Sequence, residues 1–328
     1  MVSTNLVFSG FSFIGFILVI VLLPLHIKAR NIGKCSFIIW TSLLCFNGFI
    51  NSIIWNDNVT NWAPVWCDIS SRLIIAGPVG VNSAYLCIAR RLYLVISVVM
   101  HDQSESRVRR NFRSSNQFTN FNLVILSYIV QFERFRILET IGCLPALEKT
   151  QLLFPVLIGP LAVVTVAIAV YASESHLKGW AQLNEHFVRL LALVLVMVVC
   201  SVTPGVWTIV FSATDGTMTP WPGWDYVHAN ISQISQHTTH GWQTLGPGYV
   251  VHVELQRWVF VVYAIIFFAL FGFTTGAKKS YSLLFNFMAG RPRELEVSGA
   301  PEARSELRLG VCHIPAPLII FIIFSIQE

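Results

Sequence analysis

The sequence predicts an all-α integral membrane protein, a bundle of seven transmembrane helices with its N-terminus outside and its C-terminus in the cytoplasm. Of the 328 residues, 54% are hydrophobic and only 12% are charged, whereas an average soluble domain is about 25% charged. The apolar residues fall into separate blocks of membrane-spanning length, and basic residues concentrate in every second linker between them. These observations exclude a disordered chain and argue against ordinary soluble domains.

A transmembrane helix needs about 20 mostly apolar residues, because a helix rises about 1.5 Å per residue across roughly 30 Å of hydrocarbon. The candidate spans are the blocks 6–25, 35–55, 73–99, 118–131, 152–172, 187–211 and 258–276. A further apolar run at 314–326 is too short to span. Residues 1–282 are therefore assigned to the membrane domain and residues 283–328 to a cytoplasmic tail.

The orientation follows from the basic residues. Most of them lie in the linkers after the first, third, fifth and seventh blocks, and positive charge marks the cytoplasmic side of a membrane protein. The N-terminus is then outside, and an odd number of spans puts the C-terminus inside. The same orientation places the glycosylation sequons at Asn58 and Asn230 on the outer face, where such glycans are added.

Tryptophans gather on the predicted outer side of the membrane. The set comprises Trp55, Trp62, Trp66, Trp221, Trp224, Trp242 and Trp258. An interfacial aromatic belt accounts for such residues, although belts normally form at both interfaces. The asymmetry favours an apolar, aromatic mouth that receives a greasy ligand, and both interpretations stay open.

Two of the seven cysteines, Cys67 and Cys143, fall in predicted outer loops. An oxidising environment there permits a disulfide between them, and two free thiols are the alternative. The sequence has no CxxC pair and no His/Cys cluster, so it predicts no metal site.

The middle of the spans contains no Asp, Glu, Lys or Arg, which argues against an ion-coupled pump or transporter. No hydrolase or nucleotide-binding motif occurs, so we expect neither an enzyme nor a bound cofactor, and no nucleic-acid partner. Asn47, Asn51 and Asn82 enter the spans either as interhelical hydrogen-bond partners or as a polar switch. Pro204 permits a bend in the sixth span, which suggests a helix that moves when a ligand binds.

Several segments resemble the fungal lipopeptide mating-pheromone receptors. The matching strings are LPLHIKARN at 23–31, NSIIWN at 51–56, NWAPVWCDIS at 61–70, CIARRLY at 87–93, YIVQ at 128–131, IGC at 141–143, ELQRW at 254–258 and FGF at 271–273. The string at 61–70 is the most specific. The resemblance runs from about residue 15 to about residue 282 and looks most like the basidiomycete branch.

The resemblance implies a class D G-protein-coupled receptor, similar to the a-factor receptor, at the plasma membrane. It implies a farnesylated peptide pheromone as the ligand and a heterotrimeric G protein as the cytoplasmic partner. Membrane lipids surround the receptor, and the resemblance predicts no oligomeric state. The candidate ligand-binding residues are Trp55, Trp62, Trp66, Asp68, Glu133, Trp224, Asp225 and Trp258. The candidate G-protein-coupling residues are Lys28, Arg30, Arg90, Arg91, Arg110 and Arg189.

Simpler roles stay open for these residues. The outer acids are also explained as solvated loop charges, and the inner bases as orientation signals or contacts to anionic lipid. The fourth span and the linker at 173–186 are shorter than the family pattern, and the tail ends in an apolar run. The alternative functions are a polytopic transporter or channel, and a diverged receptor-like protein that does not signal.

Overall fold

A computed structural model of the chain shows a bundle of long helices with a small β-sheet at one end. It describes residues 2–29, 31–101, 127–148, 150–153, 155–156, 159–179, 185–214, 219–274, 276–278 and 281. The helices are α1 Val2–Ile20, α2 Leu23–Lys28, α3 Ile32–Ile54, α4 Pro64–His101, α5 Gly159–Gly179, α6 Glu185–Thr214, α7 Trp224–His228, α8 Thr239–Gln243 and α9 Pro247–Phe271. The strands are β1 Phe135–Leu138, β2 Gly142–Leu144 and β3 Ile234–His237.

Within these ranges, five helical segments are long and apolar enough to cross a membrane by length and composition. They are Thr4–Lys28, Ile32–Ile54, Pro64–Tyr93, Leu191–Thr208 and Pro247–Phe271. Helix α5 adds a shorter apolar stretch, Leu161–Tyr171. Most of the predicted fourth span and the predicted tail lie outside the described residues.

Two helices begin well ahead of their predicted spans. Helix α4 begins at Pro64 rather than near residue 73, and α9 begins at Pro247 rather than near residue 258. Proline fits the start of a helix because the first N–H groups have no intrahelical acceptor. Hydropathy identifies only the apolar, membrane-length part of each helix. It does not reveal where the helix continues beyond that part.

Small residues set the packing of α4 against α3. A Cβ atom on Gly80 would lie 2.3 Å from the Trp40 ring, and one on Gly77 would lie 2.6 Å from Leu44. Glycine at both positions lets the two helices approach closely, as is usual inside membranes. Helix α4 also contacts α5 and α6, so it lies at the centre of the bundle.

The sheet has three short strands in the order β2-β1-β3. Strands β1 and β2 are antiparallel, with Leu138 opposite Gly142, and β1 and β3 are parallel, with Phe135 opposite Ile234. No strands were predicted from the sequence, because runs of three or four residues are too short to show an alternating pattern. We refer to β1–β3 with α7 and α8 as the sheet cap.

Candidate functional site

A disulfide between Cys67 and Cys143 fastens the sheet cap to the helices. Their Cα atoms lie 5.1 Å apart, and the bond joins the first turn of α4 to β2. Both cysteines are fully buried in a cluster with Trp55, Phe135 and Ile137. The cluster joins the end of α3, the start of α4 and the sheet.

The Asn51 side chain joins the same three elements through hydrogen bonds. Its Oδ1 accepts from the Trp66 indole N–H at 2.8 Å, and its Nδ2 donates to the Ser70 hydroxyl at 2.9 Å. Ser70 in turn donates to the backbone carbonyl of Cys143 at 3.2 Å. Asn51 therefore lies at the junction of bundle and cap, whereas Asn47, one turn away on α3, is buried in the bundle.

The backbone at Gly142 is tightly constrained. Its φ of +100° lies in the region that side-chain-bearing residues rarely adopt, and a Cβ there would lie 2.4 Å from the Asn51 Cβ. We expect Gly142→Ala to lower the free energy of unfolding by about 3 kcal/mol, because strain and a backbone shift add together. Thermal unfolding of the purified protein measures this loss.

Gly223 offers the matched control for this substitution. Its φ is +102°, but a Cβ there would meet nothing within 4 Å. Gly223→Ala should therefore cost only the strain of the backbone conformation, and so less than Gly142→Ala. Equal losses at the two positions would contradict the steric account of Gly142.

Arg257 connects α9 to both α1 and the sheet cap. Its guanidinium lies 3.0 Å from the Glu254 carboxylate, donates to the carbonyl of Thr140 at 3.2 Å and lies 4.1 Å from the centroid of the Phe8 ring. Thr140 also donates its N–H to the carbonyl of Trp55 at 2.7 Å. The turn between β1 and β2 is thus held from two sides, and sequence reasoning missed Arg257 as its anchor.

The predicted tryptophans divide into exposed and structural ones. Trp62 is 71% exposed and Trp224 is 51% exposed, whereas Trp66 and Trp258 are half-buried with their indole N–H groups bonded. Trp55 is fully buried and donates to the carbonyl of Thr60. This corrects the expectation that Trp55 lines an open mouth, because its ring is a core residue of the cap.

The predicted acidic residues also divide into those bonded to other side chains and one that is exposed. Asp68 accepts two hydrogen bonds from Arg134, at 2.9 and 2.6 Å, and these bonds raise the pKa of Arg134. Glu133 is buried and accepts from the Ser235 hydroxyl at 2.5 Å, which corrects its assignment as an open ligand contact. Asp225 is exposed beside Trp224, and a role of these two in ligand binding stays a prediction.

A cleft of about 350 Å³ opens between α4, α5, α6 and α9. Most of its lining is apolar, and its polar side chains are those of Asn82, Thr165, Thr208, Gln256 and Tyr263. Gln256 lies 3.5 Å from the Thr208 hydroxyl, which donates to the carbonyl of Pro204 at 2.8 Å. Such a cleft can take an apolar chain and hydrogen-bond a polar group at its wall.

The cleft also faces the outside of the bundle. Val166 on α5 and Val206 on α6 line the cleft. They are 62% and 51% exposed, respectively. Pro204 lies inside α6 at the wall of the cleft. The missing N–H of proline and the Thr208 hydroxyl both favour a bend at this point.

The predicted coupling residues lie at the end opposite the cap or outside the described residues. Lys28 is exposed, and Arg90, Arg91 and Arg189 are half-buried. Arg30 and Arg110 lie outside the described residues. Lys34 was not among the predicted coupling residues. It is only 2% exposed, and its Nζ lies 3.9 Å from the centroid of the Phe271 ring.

The two sequons lie at the cap end of the bundle. Asn58 donates to the carbonyl of Ile54 at 2.9 Å and accepts from the Trp62 indole N–H at 3.2 Å. Asn230 follows α7 in a turn, where its carbonyl accepts from the Gln233 N–H at 2.9 Å. Glycosylation at either residue stays a prediction. Among the described residues no group of three or more His, Cys, Asp or Glu side chains is arranged to hold a metal ion.

Comparison with known proteins decides the family. The model of the family described as pheromone A receptor, STE3, matches residues 7–290. The chain belongs to the STE3 family. Members of this family are seven-transmembrane receptors, so the predicted helical membrane fold and the resemblance to fungal pheromone receptors are confirmed, whereas the predicted orientation in the membrane stays a prediction. This receptor family is not an enzyme family.

Individual STE3 relatives agree with this assignment. The chain is 36% identical over 293 residues to the pheromone B alpha 3 receptor of Schizophyllum commune, covering 84% of this chain and 46% of that protein. It is 26% identical over 309 residues to pheromone receptor 1 of Mycosarcoma maydis, covering 84% and 82% respectively. It is 21% identical over 297 residues to the pheromone a factor receptor of Saccharomyces cerevisiae, covering 83% and 60%.

The chain spans about half the length of the first curated relatives that it matches. No solved structure matches it.

Proposed function

We propose that this chain is a mating-pheromone receptor of the plasma membrane, which binds a farnesylated peptide and activates a heterotrimeric G protein. The observation that carries the proposal is the STE3 family match over residues 7–290. The membrane-length helices support a multi-pass location. The cleft between α4, α5, α6 and α9 supports a ligand that carries an apolar chain.

The sheet cap is the extracellular end in this proposal. Disulfides persist in oxidising compartments and are rare in the cytosol, and the Cys67–Cys143 bond lies in the cap. The basic residues Lys28, Arg90 and Arg91 lie at the other end, as the positive-inside rule requires for the cytoplasmic side. The position of the disulfide and the distribution of the basic residues thus independently support the same orientation.

The ligand contacts two places in this proposal. The exposed Trp62, Trp224 and Asp225 receive the peptide, with Asp225 available to a basic group. The farnesyl chain enters the cleft from the bilayer, past Val166 and Val206. The cleft volume of about 350 Å³ lies within the range of about 300–1,000 Å³ typical of small-molecule sites.

The ligand then acts on α6. Pro204 borders the cleft, so an occupied cleft presses on the segment of α6 that bends most easily. Arg189 lies near the cytoplasmic end of the same helix, and Arg90 and Arg91 lie on α4. Movement of α6 relative to α4 therefore changes the basic surface that the G protein meets.

Expression in a yeast mating-reporter strain tests the function. Farnesylated peptides of varied sequence should activate the reporter, whereas the same peptides without the farnesyl group should not. Purified receptor in vesicles should accelerate GTP exchange on a heterotrimeric G protein when an active peptide is added. Ligand-dependent flux through the vesicles without exchange would instead identify a transporter or channel, and binding without exchange would identify a receptor-like protein that does not signal.

Trp62 and Trp55 should separate recognition from stability. Trp62→Ala removes an exposed ring, and we expect a loss of about 2 kcal/mol in pheromone binding with unchanged unfolding. Trp55→Ala empties a fully buried site and should cost about 3–5 kcal/mol of stability. Pheromone dose–response and thermal unfolding of both variants measure this. Unchanged potency of Trp62→Ala at normal surface levels would exclude the exposed ring from the site.

A further inference from the structure

The end of the bundle opposite the sheet cap contains a buried lysine. Lys34 lies in the first turn of α3 and is 2% exposed. Its Nζ lies 3.9 Å from the centroid of the Phe271 ring. Among the described residues, no hydrogen bond or ion pair of this ammonium group accompanies that contact. Burying an ammonium group is costly unless it is paired and hydrogen-bonded.

A second cation lies nearby. Gly33 packs directly on α4, where an added Cβ would lie 2.9 Å from Ile88 and 3.2 Å from Cys87. Arg91 is three and four residues further along α4, on the same helix face as those two contacts. The charge of Arg91 acts on Lys34, and Arg91 likewise forms no ion pair with a described residue.

The contacts around Lys34 offset only part of the free-energy cost of burying its charge. The Phe271 ring attracts the ammonium group of Lys34, and Phe271 is the last residue of α9, where the helix dipole favours a cation. Neither contact supplies a hydrogen-bond acceptor. The positive charge of Arg91 also repels that of Lys34. A bound anion would satisfy the N–H donors and relieve the repulsion at once.

We propose that Lys34 and Arg91 form a binding site for a carboxylate on the G protein that this receptor activates. This rests on the function proposed above and adds a residue, Lys34, and the chemical group that it binds. The site is completed when the partner docks, and it is the reason that a lysine is buried where α3, α4 and α9 meet.

The position of the site favours a protein partner over a lipid. Lys34 lies among three elements: α4 contacts the neighbouring Gly33, Phe271 belongs to α9, and the His26 ring of α2 packs edge-on against Phe271 with 5.9 Å between the ring centroids. Lipid headgroups surround a bundle rather than enter its centre. Lys28 on α2 is exposed, so a headgroup has a basic side chain available there without reaching the buried Lys34.

Substitution of Lys34 tests the site in the full chain, reconstituted in phosphatidylcholine nanodiscs with a heterotrimeric G protein. We expect Lys34→Met to weaken G-protein binding about tenfold and to leave pheromone binding unchanged. The unfolding temperature of the free receptor should rise, since a buried charge without a partner is removed. Lys34→Arg should retain most of the affinity, and Lys278→Met, which removes an exposed charge near the same end, should match wild type.

Carbodiimide cross-linking identifies the anion directly, because it joins an amine to a carboxylate in contact with it by an amide bond, with loss of water to the reagent. Mass spectrometry should find Lys34 joined to a carboxylate of the Gα subunit. A bond to an acid of the receptor itself would overturn the proposal, as would unchanged G-protein affinity of Lys34→Met. An effect of Lys34→Met that appears only in nanodiscs containing anionic lipid would also overturn it and identify a headgroup site. Failure of wild-type receptor to stimulate GTP exchange would refute the proposed function instead.

Discussion

Gly205→Phe is expected to abolish the response to a farnesylated peptide while the folded receptor still reaches the cell surface. Gly205 lines the cleft, and a Cβ at this position would meet nothing within 4 Å. The phenyl ring can therefore enter the space that we assign to the lipid chain without a backbone clash. Displacing about four buried methylene groups, at about 0.8 kcal/mol each, costs about 3 kcal/mol, which is more than a hundredfold in affinity. Pheromone dose–response in the reporter strain measures this shift.

Two further variants separate filled space from lost flexibility. Gly205→Ala removes the conformational freedom beside Pro204 and favours the helix by about 1 kcal/mol, but it leaves most of the cleft empty. Gly10→Phe places the same ring in open space on α1, away from the cleft. The pheromone potency of both variants should lie within a few-fold of the wild-type value. If Gly205→Ala lowered pheromone potency as much as Gly205→Phe, the flexibility of α6 and not the volume of the cleft would control the response.

The membrane helices were predictable because the bilayer imposes a length on them. A span must be apolar over about 20 residues, so blocks such as those of α3 and α9 are visible in the sequence. Their ends were not predictable in the same way. Helices α4 and α9 continue past the apolar block toward the sheet cap, where the helix is stabilised by packing and by a proline start rather than by hydrophobicity.

The sheet cap was invisible for a different reason. Strands β1 and β3 are four residues each and come from two distant loops, so neither carries a periodic signal by itself. Thr140 adopts a φ of +70° in a turn whose backbone is hydrogen-bonded to Trp55 and Arg257. Such contacts between distant segments cannot be found from local patterns.

The candidate site was predictable in its residue types and not in its roles. Tryptophan on the cap side indicated an aromatic surface, yet Trp62 is open whereas Trp55 is a core residue. Lys34 was counted only as one charge of a basic linker. A possible signal was its place at the start of a helix after Asn31, which accepts from the Lys34 N–H and starts α3. That capping pattern puts Lys34 inside the helix and leaves its burial to tertiary packing.

Loss of the Cys67–Cys143 disulfide is expected to have one of the largest effects on stability. The bond closes a sequence separation of 76 residues, for which the chain-entropy relation gives about 4.5 kcal/mol. Cys67→Ala, Cys143→Ala and the double variant should lose nearly the same amount, because either single change already removes the whole cross-link. Thermal unfolding with and without a reducing agent measures this, and reductant should affect wild type alone. Cys35 and Cys45 are buried and are not part of this disulfide, so their alanine variants are the controls and should not depend on reductant.

The same variants also separate the two halves of the proposed ligand site. The disulfide anchors β2 to α4 in the sheet cap, whereas the cleft is built by α4, α5, α6 and α9 and contains no residue of the cap. A loosened cap should therefore weaken discrimination between farnesylated peptides of different sequence and keep the requirement for the farnesyl group. Dose–response to a peptide panel, at a temperature where the double variant is folded, measures both properties. If discrimination between peptides survived while the farnesyl requirement disappeared, the assignment of peptide to cap and lipid to cleft would be reversed.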